Sequence, residues 1–556
     1  MSPQDEMEAT LSAFFLPETE DVDGHAQCKF RGRYEWLNSQ LDLSGSGLKE
    51  INCAGFRTWS LNGSTGSVSI VFATGYLGNP ASYYGHTFLK FNARHNKSVT
   101  ELEDVTVNYG AIVPEGEGPI PYIFKGLFGG YDAGFSEIQY YYHNHNYGEN
   151  ELRDLWEYEL DLKPEELAIL IGHAWEVLSQ RYTYYFTRRN CAYRMAEMLE
   201  VIEGVKVIPD NRPWTVPQKI VQNAFDSRRD GKPLVKNVFY HPSRQSRLYK
   251  RFELLSIEER RLVRKIVVDI DALDGPEFQE FSLSSQQRIL DALLDYFQFV
   301  RDAKKLDKDQ ANDHYRLVLA KRYQLPPGET PLKFSKDRSP HQGRNPSLLS
   351  VSAVNNSVYG NGAVIRLRPV YYDSLDADYG HINNSSLSMG DVLLDVFDGD
   401  VKLRKLNIVN VESVKNLATG LPKDGGDAWK LDLGVERQTL GCESCLVTYF
   451  RGDIGYAHSL SQKVFVGAYV GGSLQQDKNN FGSLFGRTSA FANFELSNSF
   501  RVRAYTEYRR YIDGDGKGDW VSDITGRWRL SANTDLRFSY QRNIAHEAGI
   551  AFSWYW

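Results

Sequence analysis

From about residue 347 to the end, the chain alternates with a period of two, and one of the two alternating sets carries most of the charge. In the run from Phe500 to Arg509, Phe500, Val502, Ala504 and Tyr508 share one face, while Arg501, Arg503, Glu507 and Arg509 share the other. Only extended strands honour that period, because successive strand side chains point to opposite faces. The same alternation recurs at Leu536–Gln541, and the final run from Gly549 places Ile550, Phe552, Trp554 and Trp556 together. About 12 such runs, many near 10 residues long and divided by turn clusters such as Asp513-Gly514-Asp515-Gly516, carry the signature of a transmembrane antiparallel β-barrel. A β-sandwich or closed barrel in water shares the alternation. The Arg- and Glu-rich polar face suits a barrel lumen and favours the membrane reading. A last strand that closes on an aromatic residue resembles outer-membrane proteins, so outer-membrane lipids and the barrel assembly machinery are expected partners.

At 556 residues the chain exceeds one ordinary domain, and its 42% hydrophobic and 24% charged residues describe a folded protein. Thirty-three Tyr, 29 Phe and 10 Trp agree with strands and with aromatic girdles. The net charge of -7 argues against a nucleic-acid partner. No run of apolar residues is long enough for a transmembrane helix, and the acidic start shows no export signal. Cys28 and Cys53, and Cys442 and Cys445, form two candidate pairs that would be disulfides in an oxidising compartment, leaving Cys191 as the free thiol. In a reducing compartment all five would be thiols.

Before the barrel region lie two further zones. Residues 25–240 mix strands, at Gly66–Ala73, Gly85–Phe91 and Asp104–Tyr109, with helical periodicity after Pro164 and again from Cys191. The Gly- and Tyr-rich segment 113–150 reads as a long connection that lines or covers a site. Residues 241–330 read as a helical connector, with capping boxes at Ser256-x-x-Glu259 and Ser284-x-x-Gln287. The proline-rich stretch 325–346, including Pro331, reads as a linker to a β-barrel domain over 347–556.

Cys191 stands where an aromatic stretch, Tyr182–Phe186, gives way to a helical pattern, which puts its thiol at a helix N-terminus. The helix dipole and free amides there favour a thiolate and can hold an acyl oxyanion. His86, on a strand after Gly85, is the candidate base, and Asn108, on the next strand, the candidate residue orienting it. Together they form a papain-like Cys-His-Asn set in permuted order. His143-x-His145 with Glu149 has metal-ligand chemistry if the histidines share a strand face, but a polar loop is the favoured reading and no metal or cofactor is expected. Arg153, Asp154 and Glu157 serve a buried ion pair as readily as a substrate, and the Cys442-x-x-Cys445 motif reads as a loop disulfide.

Six blocks occur in one order: Cys28–Leu37, Asn79–Leu89, Val107–Tyr109, Lys125–Tyr131, Arg153–Tyr158 and Asn190–Tyr193. They resemble the Lnb N-terminal periplasmic domain family over about residues 25–205. The resemblance implies an exported bacterial protein with a permuted papain-like thiol domain in which His86 and Cys191 match the catalytic pair. It also implies acyl transfer onto a lipoprotein amine. Arg189 departs from the acidic residue of the family at this place, which implies a different substrate, and the β-rich tail replaces the membrane helices of an Lnb-type acyltransferase.

The combined expectation is an α+β permuted papain-like domain, a helical connector and an outer-membrane barrel in the bacterial envelope. It would act as a Cys-His acyltransferase or acyl hydrolase on lipoprotein or lipid acyl groups through an acyl-thioester. Peptidoglycan or protein amide cleavage by the same machinery, and a non-catalytic scaffold, are the alternatives. Tyr83, Tyr84, Asn190, Tyr193, Leu127 and Phe128 are the expected substrate contacts, with Gly126, Gly129 and Gly130 as flexible points around the last two.

Overall fold

The computed structural model describes residues 2–556 apart from 42, 78–81, 95–100, 211, 303–307, 329–332, 337, 377–378, 416, 462, 478–481 and 514–517. Asn79, Pro80 and Ala81 of the second block, Pro331 of the linker and residues 514–516 of the turn cluster lie outside them. The chain divides into two compact units, Met1–Ser243 with Phe334–His341, and Arg244–Lys333 with Gln342–Trp556.

The first unit is built on a seven-stranded antiparallel sheet. Its strands are β1 (Thr65–Ala73), β2 (His86–Ala93), β3 (Val105–Ala111), β4 (Tyr131–Gln139), β5 (Leu155–Leu160), β6 (Arg181–Tyr184) and β7 (Val235–His241), ordered β6-β4-β3-β2-β1-β5-β7. Both faces of β1 are buried: Val68, Ile70 and Phe72 enter the main core, and Val71 and Ala73 a second cluster with Phe88 and Tyr140. That is why β1 reads as a nearly continuous apolar run. The helices Pro164–Val177 and Cys191–Leu199 cover the main core with Leu170, Ala174, Met195 and Leu199. Cys28 and Cys53 are disulfide-bonded, as are Cys442 and Cys445 in the second unit, and Cys191 is a free, buried cysteine.

The segment 113–150 is not the long connection that its glycines suggest. Pro119 opens a helix that runs to Phe128 and stops at Gly129, whose φ of 88° is the left-handed cap geometry. Strand β4 and helical turns over Tyr140–Asn150 follow. His143 and His145 therefore sit on helical turns and not on a strand, so alternate residues do not share a face.

In the second unit, Arg244–Glu253, Ile257–Val268, Leu283–Asp302 and Lys308–Tyr323 are helical. The Ser256 box forms as expected. The second box does not: Ser282 Oγ accepts from the Ser285 amide at 3.3 Å, and Gln287 donates to the Pro326 carbonyl at 2.9 Å instead of returning to a cap. The bundle holds the barrel turn at Thr419–Pro422, with Arg264 donating to the Thr419 carbonyl at 2.9 Å and Tyr296 to that of Pro422 at 2.9 Å.

Twelve long strands from Leu348–Asn356 to Ala545–Tyr555 form a closed antiparallel barrel, the first pairing with the last from Leu348↔Tyr555 to Asn356↔Glu547. Its polarity is the reverse of a protein folded in water. Arg501, Arg503, Glu507 and Arg509 are buried inside, whereas Ile454, Val470, Ile524, Phe552 and Trp554 are exposed outside. Trp528 and Trp554 stand near one rim and the Tyr508–Trp520 pair near the other. An apolar belt with aromatic rims around a charged lumen is what a bilayer selects, and the barrel is an outer-membrane barrel.

The lumen is crossed by ion pairs, among them Arg503–Glu412 at 2.8 Å, Arg487–Asp453 at 2.5 Å and Arg404–Asp395 at 2.5 Å. At the end where the first strand begins, the segment after Tyr372 turns inward. Asp373 meets Arg537 at 2.8 Å and Arg368 at 3.0 Å, and Asp376 pairs with Arg344 and lies 3.6 Å from Arg527 and 3.7 Å from Arg368. Asp376→Asn leaves several buried guanidinium groups facing one another, and a broken buried pair costs about 3–5 kcal/mol. The variant is expected to lose its compact, heat-modifiable gel band at a temperature several degrees below that of the parent. An unchanged transition would mean that the cluster adds no stability.

Candidate active site

The site grows from three adjacent elements. His86 opens β2, Asn108 lies on the neighbouring β3, and Cys191 is the first residue of a helix packed against both strands. Asn190 fixes that helix start. Its Oδ1 accepts from the Tyr193 amide at 3.1 Å, while its Nδ2 donates to the carbonyls of Phe186 at 3.0 Å and Thr215 at 2.8 Å. Asn190 therefore works as a buried N-cap with all three hydrogen bonds directed at backbone.

His86 Nε2 lies 2.5 Å from Asn108 Oδ1, and His86 is hydrogen-bonded to Cys191. An amide oxygen accepts only from a protonated nitrogen, so Asn108 sets the tautomer with the proton on Nε2 and leaves Nδ1 as the base toward sulfur. Burial alone would raise the Cys191 thiol, but the His86 charge and hydrogen bond, with the amide and hydroxyl of Thr87, bring it down to about 7. Burial would in turn lower His86, and the facing thiolate raises it above its ordinary value. The two groups thus stabilise each other's charged form, which is the electrostatics of a thiolate–imidazolium pair.

Several neighbours were not legible in the sequence as parts of the site. Thr87 is fully buried, and its amide and hydroxyl both act to lower the Cys191 thiol. The Tyr184 hydroxyl meets the backbone amide of Cys191. The Tyr147 ring lies 5.8 Å from that of His86, and the Arg153 guanidinium sits 4.6 Å over Tyr147. Arg153 donates to the Thr74 carbonyl at 2.6 Å and the Ala73 carbonyl at 3.1 Å, so it ties the end of β1 to the wall behind His86. His143 stacks on Phe88 at 4.3 Å, and burial, with the nearby His86 charge, lowers it to about 3, which keeps it neutral. The available signals were that Thr87 falls in the Asn79–Leu89 block, Arg153 in the Arg153–Tyr158 block and Tyr184 in the Tyr182–Phe186 stretch, and that His143 and Tyr147 belong to segment 113–150, read as lining or covering a site.

Of the other expected contacts, Tyr83 and Tyr84 are buried, Tyr193 and Leu127 are half-buried, and Phe128 is exposed. Asp154 and Glu157 are bound into the fold: Asp154 accepts from the Ser243 amide at 3.0 Å, and Glu157 accepts from Lys90 at 3.1 and 3.2 Å. Among the described residues no group of three or more His, Cys, Asp or Glu has metal-binding geometry.

Residues 56–223 match the family described as the Lnb N-terminal periplasmic domain. Residues 1–40, 238–333 and 337–556 match three models described as domains of unknown function. No protein of curated function matches the chain. Among solved structures, the NanC porin is 8% identical and covers 37% of this chain and 99% of its own, with a TM-score of 0.26. The KdgM porin in complex with disordered oligogalacturonate is 7% identical over 38% of this chain and 98% of its own, at 0.24. An outer membrane channel from Pseudomonas putida F1 is 11% identical over 41% and 99%, at 0.25. The periplasmic-domain match and the inverted polarity of the barrel place the protein in the bacterial envelope, with its barrel in the outer membrane.

Proposed function

We propose, taking residues 56–223 as an Lnb-type periplasmic domain, that the protein is a papain-like cysteine acyltransferase or acyl hydrolase acting on lipoprotein or lipid acyl groups. The observation that carries the reading is the single hydrogen-bonded line from Asn108 through His86 to Cys191, on a thiol held at about 7. His86 Nδ1 takes the proton of Cys191, and the sulfur attacks an ester carbonyl. The tetrahedral oxyanion forms beside the amides at the start of the 191–199 helix, where the substrate oxygen displaces the Tyr184 hydroxyl. Collapse breaks the ester C–O bond, and the imidazolium returns its proton to the leaving alkoxide. An amine, or water, then attacks the acyl-thioester, and the thiol regains its proton.

The test sets a diacylated lipopeptide against a muropeptide. Expected are a mass increase of one fatty acyl group on the peptide containing Cys191 and a lipopeptide that loses or relocates an acyl chain, with both absent in Cys191→Ala. Amide cleavage of the muropeptide with no acyl adduct would replace this reading by an amidase.

A further inference from the structure

The 119–128 helix turns two phenylalanines outward. Phe124 and Phe128 are one turn apart with ring centroids 4.7 Å apart, and they are 65% and 69% exposed. The inward side is occupied by contacts that leave no room to roll the helix over. A Cβ on Gly126 would fall 2.3 Å from the Phe186 ring, and one on Gly129 would fall 2.4 Å from that of Tyr185. Phe186 donates its amide to the Gly126 carbonyl at 2.8 Å, and Tyr122 packs on the Phe186 ring at 5.1 Å. The glycines thus let segment 185–186 lie directly on the helix, and the phenylalanines are fixed on the opposite side.

The same segment brings positive charge to this helix. The Arg188 guanidinium sits 4.2 Å over the Tyr185 ring that covers Gly129, and Arg189 follows it; both are exposed and form no ion pair among the described residues. Lys125, by contrast, is neutralised by Glu117 at 3.0 Å. Two exposed phenylalanines on the helix and two exposed guanidinium groups on the segment packed against it are the two chemistries an anionic bilayer surface selects, in which rings enter the acyl boundary and arginines meet phosphate. A water-facing helix would not gain from this arrangement. The chain also carries its own membrane-spanning barrel, so a bilayer is always part of its surroundings.

We propose that the 119–128 helix and Arg188–Arg189 form a docking surface for an anionic phospholipid bilayer. Two residues after Arg189 the chain reaches Cys191, so the docked face and the thiol share one short segment. The proposal depends on the barrel and not on the chemistry at Cys191, so failure of the thiol-enzyme reading would leave it standing.

Full-length protein in nanodiscs of phosphatidylcholine, with or without phosphatidylglycerol, is irradiated with an acyl-chain photoactivatable phosphatidylcholine in every sample, and cross-linked peptides are mapped. Barrel strands label in every sample and serve as the internal reference. Peptides covering 119–131 are expected to label as well, and to lose that label in Phe124→Ser/Phe128→Ser. Arg188→Gln/Arg189→Gln is expected to lower the phosphatidylglycerol-dependent yield by roughly fivefold per arginine. Protease resistance of the 56–223 region confirms that each variant is folded, and the single Phe128→Ser variant replaces the double one if it is not. Labelling confined to barrel peptides, or labelling of 119–131 that survives loss of the phenylalanines or of the arginines, overturns the proposal.

Discussion

His86→Ala is expected to cut the rate at which iodoacetamide alkylates Cys191 at pH 7 by one to two orders of magnitude. In the parent protein the thiol is held at about 7, so close to half is thiolate at that pH. Without the imidazolium, burial is the dominant influence and pushes the thiol above its unperturbed value of about 8.5, leaving roughly 3% thiolate or less. The parent rate should rise through an inflection near pH 7, and the variant rate only above pH 8.5. Asn108→Ala should fall between them, because the base remains but its tautomer and ring angle are no longer fixed. Cys191 is the one cysteine outside the two disulfides, so labelling reports on it alone. Overlapping pH profiles in parent and His86→Ala would remove the ion pair as the source of reactivity.

How much of this site the sequence could reveal follows from what fixes each residue. Cys191, His86 and Asn108 were legible because each sits at a place that backbone pattern defines: a helix start, a strand after a glycine, and the next strand. Thr87 acts on the sulfur through its amide and hydroxyl, and Tyr184 meets the Cys191 amide through its hydroxyl, and nothing in a residue's type announces such a direction. The barrel was legible for a different reason. Its alternation encodes two solvents at once, and the exposed Ile550, Phe552 and Trp554 against the buried Glu547 and Ser553 show the choice plainly. The 119–128 helix was hidden because Gly126, Gly129 and Gly130 read as turn signals, whereas the structure uses Gly126 and Gly129 for close packing of aromatic rings. The helix is capped at Ser282 and not at Ser284, and Gln287, the expected cap partner, donates instead to the Pro326 carbonyl some forty residues away in sequence, a contact that no local pattern contains.

Lys90→Met is expected to be among the most damaging single substitutions in the periplasmic unit, lowering its stability by about 3–5 kcal/mol. Lys90 is 2% exposed and lies 3.1 Å from Glu157 and 3.4 Å from Asp104, which are themselves buried, so its loss takes an ammonium away from two buried carboxylates at once. Burial alone would raise Glu157, but the hydrogen bond from His241, the charge of Lys90 and the Ser69 hydroxyl together lower it to about 2. A carboxylate depressed from its ordinary 4.5 contributes stability that is fully present above that value and is lost as the pH falls through about 2. For Glu157 that contribution is on the order of 3 kcal/mol. In Lys90→Met the carboxylate no longer has the lysine charge, so protonation should relieve the variant: its deficit against the parent should shrink as the pH falls from 7 toward 4. Glu157→Gln placed on top of Lys90→Met should recover part of the loss at pH 7, since one of the two carboxylates that lost the ammonium is then neutral. Pulse proteolysis of the full-length protein across a urea series, scored on fragments from 56–223, measures this unit separately from the barrel. Equal urea midpoints for parent and Lys90→Met at pH 7 would show that the buried lysine contributes no net stability and that the sheet is held by its apolar contacts alone.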